Sequence, residues 1–90
     1  MRESAIERHL VKRVKAAGGE CRKLKGRRNE PDRLVLWPCG RAHFVETKAP
    51  GERPRPGQVR EHKRLRGMGF IVLVLDTKEK IDNYVKGYAR

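Results

Sequence analysis

The sequence contains no stretch of about 18 apolar residues, the length a bilayer crossing requires. Its first residues alternate charged with apolar side chains instead of building the apolar segment of a secretory leader, so a soluble, intracellular protein is expected. Cys21 and Cys39 are the only cysteines; they form no C-x-x-C pair and have no histidine at zinc spacing. That argues against a structural zinc and for two reduced thiols. Aromatic residues are scarce at 6%, which leaves few rings to stack on single-stranded bases. Acids are outnumbered, eleven against twenty-three Lys and Arg, and the balance of +12 favours polyanionic partners, nucleic acid above all. No internal repeat or low-complexity tract appears. Ninety residues hold one domain, 1–90, and with 37% apolar residues its core must be thin.

What is present is periodic. Ile6, Leu10, Val14 and Ala17 make one stripe on a helix over residues 3–17, stopped by Gly18 and Gly19. Glu3 falls inside that stripe and Glu7 on its edge, so at least one acid points inward. Residues 20–25 alternate weakly and predict an edge strand, and 26–31 a basic loop. Extended formers from Asp32 to Trp37 and from Ala42 to Lys48, joined by Pro38, Cys39, Gly40 and Arg41, predict a hairpin. The segment 50–57, with three prolines and two glycines, is a loop, and Pro56 opens a helix running to about Arg66. Phe70 to Leu75 is uninterrupted and apolar, which predicts a buried central strand. Asp76 with Glu79 resembles a capping pair before a helix carrying Ile81, Tyr84, Val85 and Tyr88. The predicted order is αβββαβα. Trp37 is expected to pack in the core or hairpin, and His9, His43 and His62 to be surface or partly packed.

Chemistry concentrates on the hairpin. Period-2 alternation puts Glu46 and Lys48 on one strand face, about 7 Å apart. Asp32 joins them if cross-strand positions sum to 78, whereas an even-length turn without a bulge separates them. Two carboxylates on adjacent strands, reinforced by Glu7 or Glu3 from the helix, form a cluster of hard oxygen ligands suited to Mg²⁺ or Mn²⁺. Such an ion relieves the repulsion among the acids, binds a phosphodiester oxygen and acidifies a water. Lys48 beside it is placed to orient the water or stabilise the charge that builds on phosphorus. A second Glu-x-Lys triplet, Glu61 to Lys63, lies in a predicted helix, where residues two apart diverge by about 200°.

Pro31-Asp32, followed after thirteen intervening residues by Glu46-Thr47-Lys48, resembles the signature of PD-(D/E)XK nucleases. With Gln58 just inside the next helix, the chain is similar to the virus-type replication-repair nuclease (VRR-NUC) domain in its short, stand-alone phage form. The resemblance runs from Glu3 to about Leu75. It departs at Glu30, where the family often has a small residue. It implies a restriction-endonuclease-like αβββαβ core with a C-terminal helix and a mixed central sheet flanked by helices. It further implies Mg²⁺- or Mn²⁺-dependent hydrolysis of DNA phosphodiesters and, for stand-alone members, homodimers that resolve four-way (Holliday) junctions. In that pattern Asp32 and Glu46 are metal ligands, the Thr47 carbonyl completes the inner shell, Lys48 is the catalytic lysine, and Gln58 touches the water or phosphate. Glu7 is preferred as the helix ligand because Glu3 lies where termini fray; Glu3 is the alternative. A phage origin implies the cytoplasm of a bacterial host.

Two basic regions flank the proposed site: Arg22, Lys23, Lys25, Arg27 and Arg28, then Arg53, Arg55, Arg60, Lys63, Arg64 and Arg66. They are expected to contact the phosphates of double-stranded or branched DNA. The competing readings are a flap or nicking nuclease on the same fold and a basic DNA-binding protein without catalysis.

Overall fold

The computed structural model describes residues 1–89. The stripe of the first helix is realised in α1 (Glu3–Ala16), where Ile6, Leu10 and Val14 are fully buried. Gly18 turns the chain at φ 91°, and Gly19 lies so close to Trp37 that a Cβ would meet the indole at 2.8 Å. There follow β1 (Glu20–Lys23), β2 (Arg33–Trp37) and β3 (Arg41–Thr47), an antiparallel meander. The chain then crosses through α2 (Pro56–Gly67) to β4 (Ile71–Leu75), which pairs parallel to β3, and closes with α3 (Lys78–Lys86). This is the mixed α/β architecture expected from the sequence, with strand order β1-β2-β3-β4.

The hairpin register decides the site. Arg33 faces Val45 and Trp37 faces Arg41, so paired positions sum to 78. The turn contains three residues, Pro38 to Gly40, one fewer than expected, because Arg41 already belongs to β3. Cys39 and Gly40 take the left-handed backbone, φ 81° and 82°, that such a tight reversal needs. The odd count preserves the even sum, and one further step along the register sets Asp32 opposite Glu46.

Val35, Trp37 and Val45 share one sheet face and join Ile6, Leu10, Val14, Ile81 and Val85 beneath α1 and α3. The Trp37 indole N–H donates to the Tyr84 hydroxyl at 3.0 Å, and that oxygen lies 2.7 Å from His43 Nδ1. The hydroxyl thus bridges the two rings, and His43 is buried, with its pKa lowered chiefly by that burial. Trp37 is thus a core residue. His43, expected at the surface or partly packed, is instead fully buried.

Two expectations are corrected. Phe70–Leu75 was expected to run centrally, yet β4 is an edge, pairing with β3 alone among the described residues; Phe70 and Ile71 remain about half exposed. Part of that edge is covered by Arg66, whose guanidinium donates to the Val72 carbonyl at 2.7 Å. The cap of α3 is Thr77, whose hydroxyl accepts from the Lys80 N–H, while Asp76 accepts from the Gly51 N–H and from Lys80 Nζ. Asp76 therefore ties down the proline-rich loop instead of starting a helix.

Leu10 is fully buried where α1 meets the core cluster. Leu10→Ala is expected to cost about 2–5 kcal/mol, read as a lower urea midpoint with an unchanged slope.

Candidate active site

Three segments meet at the end of the sheet: the first turn of α1, the residue preceding β2, and the C-terminal end of β3. Carboxylate oxygens of Glu3, Asp32 and Glu46 lie within 4.8 Å of one another there. Asp32 is fixed through one oxygen. Its Oδ2 accepts from the Thr47 backbone N–H at 2.9 Å and from the Thr47 hydroxyl at 3.0 Å, so its other oxygen is free of these bonds. Lys48 extends the parallel pairing by one step, its backbone N–H donating to the Leu75 carbonyl. That bond carries the lysine into the interior, where its Nζ sits 3.3 Å from Glu46 Oε2.

Glu46 is fully buried, and its charge has been taken out of water. Burial and then the nearby Asp32 carboxylate push its pKa from an ordinary 4.5 up to about 7, against the opposing pull of Lys48. Glu3 is raised as well, by partial burial and then by Asp32. Gln58 partly compensates. Its side-chain oxygen accepts from the Arg55 backbone N–H at 2.9 Å, which fixes the amide orientation, and the amide nitrogen donates to Glu46 Oε2 at 2.9 Å. Arg55 has no side-chain acceptor, so only this return half of a capping box is made.

Two site expectations change. Glu3, not Glu7, faces the cluster. Glu7 accepts from Arg33 Nε at 2.8 Å with Lys23 at 3.7 Å, so it clamps α1 to β2 and β1. Glu3 does not fray away from the site, because α1 is already helical at Glu3 and is anchored within one turn by the fully buried Ile6. Gln58 is buried with both ends of its amide bonded within the protein, so it orients Glu46 and keeps one further amide hydrogen. His62, also expected at the surface or partly packed, is buried with its Nε2 3.8 Å from Glu46 Oε1. The signal for it was available: His62 stands one helical turn after Gln58 and so shares its face.

Arg22, Lys23, Lys25, Arg27, Arg28, Arg53, Arg55, Arg60 and Lys63 are all exposed. The loop after β1 docks on the start of α2, where a Cβ on Gly57 would meet the Asn29 amide at 2.7 Å, so the two basic segments adjoin. Arg64 and Arg66 are engaged internally, with Glu61 and with the Val72 carbonyl. Among the described residues no helix is long and apolar enough to cross a membrane.

An acid ahead of one strand, set against a buried Glu-x-Lys on its antiparallel partner within a mixed four-stranded sheet, defines a nuclease domain of the PD-(D/E)XK class. Comparisons with known proteins agree. The chain is 52% identical over 81 residues to "Putative nuclease p44" of Acyrthosiphon pisum secondary endosymbiont phage 1, covering 88% of this chain and 87% of that protein. A solved structure described as "VRR_NUC domain" superimposes with a TM-score of 0.87 at 37% identity, over 96% of each chain. No family model matches. The chain belongs to the VRR-NUC nuclease family.

Two predictions follow from the electrostatics and the packing. A carboxyl whose pKa is raised by folding keeps its proton longer in the native state, so it destabilises that state increasingly as pH rises from about 4.5 to 7 and by a constant amount above. In metal-free protein, Glu46→Gln should gain stability relative to the natural chain across that window and then hold the difference; urea melts at stepped pH test this, and parallel curves would contradict it. Glu7→Gln should lose about 1–3 kcal/mol through its broken charge-assisted bond and still bind Mn²⁺ normally, whereas Glu3→Gln should fold normally and bind Mn²⁺ more weakly. Calorimetric titration and thermal melts separate the two.

Proposed function

We propose that the protein is a Mg²⁺- or Mn²⁺-dependent endonuclease that hydrolyses phosphodiester bonds in double-stranded or branched DNA, resolves four-way junctions, and acts as a homodimer in the bacterial host cytoplasm. The observation that carries this reading is the convergence of Glu3, Asp32 and Glu46 within 4.8 Å beside Lys48. Three acids so close repel one another, two of them have raised pKa values, and Glu46 Oε1 is buried without a hydrogen-bond partner. An all-oxygen donor set with surplus negative charge fits a hard divalent cation.

Glu3, Asp32 and Glu46 would hold that ion, with the Thr47 carbonyl as a further ligand. When bound, the ion supplies Lewis acidity towards a phosphate oxygen and lowers the pKa of water. The protein's own groups do the rest. Thr47 fixes Asp32, Gln58 fixes Glu46, and Lys48 keeps a positive charge where the attacked phosphate gains negative charge. In the hydrolysis a water oxygen bonds to phosphorus and one ester P–O bond breaks. The leaving alkoxide takes up a proton, so one water is consumed and a phosphate monoester and a hydroxyl result.

The exposed basic segments at the loop after β1 and the start of α2 support a phosphate-tracking surface, and the scarcity of aromatics, with Phe70 the single exposed ring among the described residues, supports a duplex over a single strand. Homodimerisation is supported by apolar surface that a thin-cored chain leaves uncovered: Val59, Met68, Phe70 and Ile71 are each between 46% and 55% exposed. A two-fold pair of sites suits two symmetric nicks in a junction.

The test is a synthetic four-way junction incubated with Mg²⁺, beside linear duplex and flap substrates, with Glu46→Ala and Lys48→Ala in parallel. Paired nicks at the branch are expected, reduced at least about 100-fold in each variant, an amount in the range of one lost electrostatic stabiliser. Light scattering should give twice the 10.4 kDa chain mass. Preferential flap cleavage by a monomer would assign the protein to flap nucleases, and binding without cleavage would make it a DNA-binding protein only.

A further inference from the structure

α2 places a second buried polar side chain on the same carboxylate that Gln58 holds. His62 Nε2 and Glu46 Oε1 are both buried, neither has a hydrogen-bond partner, and they face each other at 3.8 Å. A water does not resolve this, because two hydrogen bonds of about 2.8 Å meeting at a tetrahedral angle span about 4.6 Å. Nor is the histidine one of the converging ligands: the group of acidic oxygens within 4.8 Å comprises Glu3, Asp32 and Glu46, and His62 lies outside it. The protein partner within reach of His62 Nε2 is Glu46 Oε1, reached by a movement of less than 1 Å towards an ordinary N–H···O distance of about 2.9 Å.

We propose that His62 is a positioning residue for the metal centre: its Nε2–H donates to Glu46 Oε1, so that Gln58 and His62, one helical turn apart, hold both oxygens of one carboxylate from a single face of α2. This rests on the metal-dependent reading given above. A carboxylate oxygen has two lone-pair directions, so Oε1 is able to accept from the imidazole and still face an ion. The consequence is that α2 takes no direct part in metal ligation but fixes the angle at which the β3 glutamate presents itself. Outer partners of this kind set the orientation and basicity of a ligand, and their loss typically weakens metal binding by about 10- to 100-fold.

The experiment compares His62→Met, which keeps the volume and removes the donor, with His62→Gln, whose amide nitrogen reaches about where Nε2 lies. Mn²⁺ affinity is measured by calorimetry on DNA-free protein, with thermal melts to confirm folding and ¹⁵N NMR of the imidazole in the metal-free natural chain. Expected are at least about tenfold weaker Mn²⁺ binding in His62→Met, recovery to within about threefold in His62→Gln, and a neutral ring protonated on Nε2 whose signal shifts in Glu46→Gln. Unchanged Mn²⁺ affinity in a folded His62→Met, or a ring protonated on Nδ1 alone, overturns the role given to His62 and leaves the nuclease reading standing. A natural chain that binds no Mn²⁺ overturns the metal-dependent reading itself and this inference with it.

Discussion

A carboxylate sealed into the end of β3 is the constraint to which the surrounding structure answers. Glu46 has no exposure to solvent, and an ionised acid removed from water is costly unless charge and hydrogen bonds are returned to it. The returns come from separate parts of the chain: Lys48 two residues on, Gln58 from the next helix, and His62 one turn further. The return is incomplete, since Asp32 and Glu3 add negative charge from the open side and the acid stays hard to ionise. A centre left in deficit in this way is poised for a cation. The same physics that makes the ion-free site unfavourable supports the proposed binding of a compact divalent ion there.

The scaffold converts a small register detail into that chemistry. A three-residue turn sets the pairing of β2 with β3, and the register then carries Asp32 to the level of Glu46. Thr47 bonds Asp32 through both its backbone and its hydroxyl, which reads the register a second time by side-chain geometry. On the opposite side of the sheet, the apolar layer beneath α1 and α3 fixes the angle of α1 and with it the position of Glu3. Glu7 contributes to the same end from outside the site. Its ion pair with Arg33, the residue directly after Asp32, links the helix to the strand that Asp32 precedes.

Charge is partitioned by position. The nine exposed basic residues of the two flanking segments leave the surface strongly cationic, while Glu3, Asp32 and Glu46 gather at one spot. A polyanionic backbone drawn to such a surface meets its negative counterpart only where a divalent ion would intervene. Attraction is therefore spread over the face, and reactivity is confined to one end of the sheet.

Much of this was legible in the residue order. Apolar spacing gave the helices, β-branched runs gave the strands, and Pro31-Asp32 with Glu46-Thr47-Lys48 marked the chemistry, because each of these signals is local and repeats with the period of its element. Whether Phe70–Leu75 lay at the centre or the edge was not legible, since hydrophobicity reports burial on the faces and says nothing about which strand lies alongside. The choice between Glu3 and Glu7, four residues apart on one helix, depended on how α1 sits against β1 and β2, and the parts played by Gln58 and His62 depended on the helix axis relative to the end of β3. Sequence thus determined which groups exist and on which face of which element they stand. Their partners were decided by the packing of one element on another, because a hydrogen bond or an ion pair is fixed by distances of a few ångströms that only the assembled layers define.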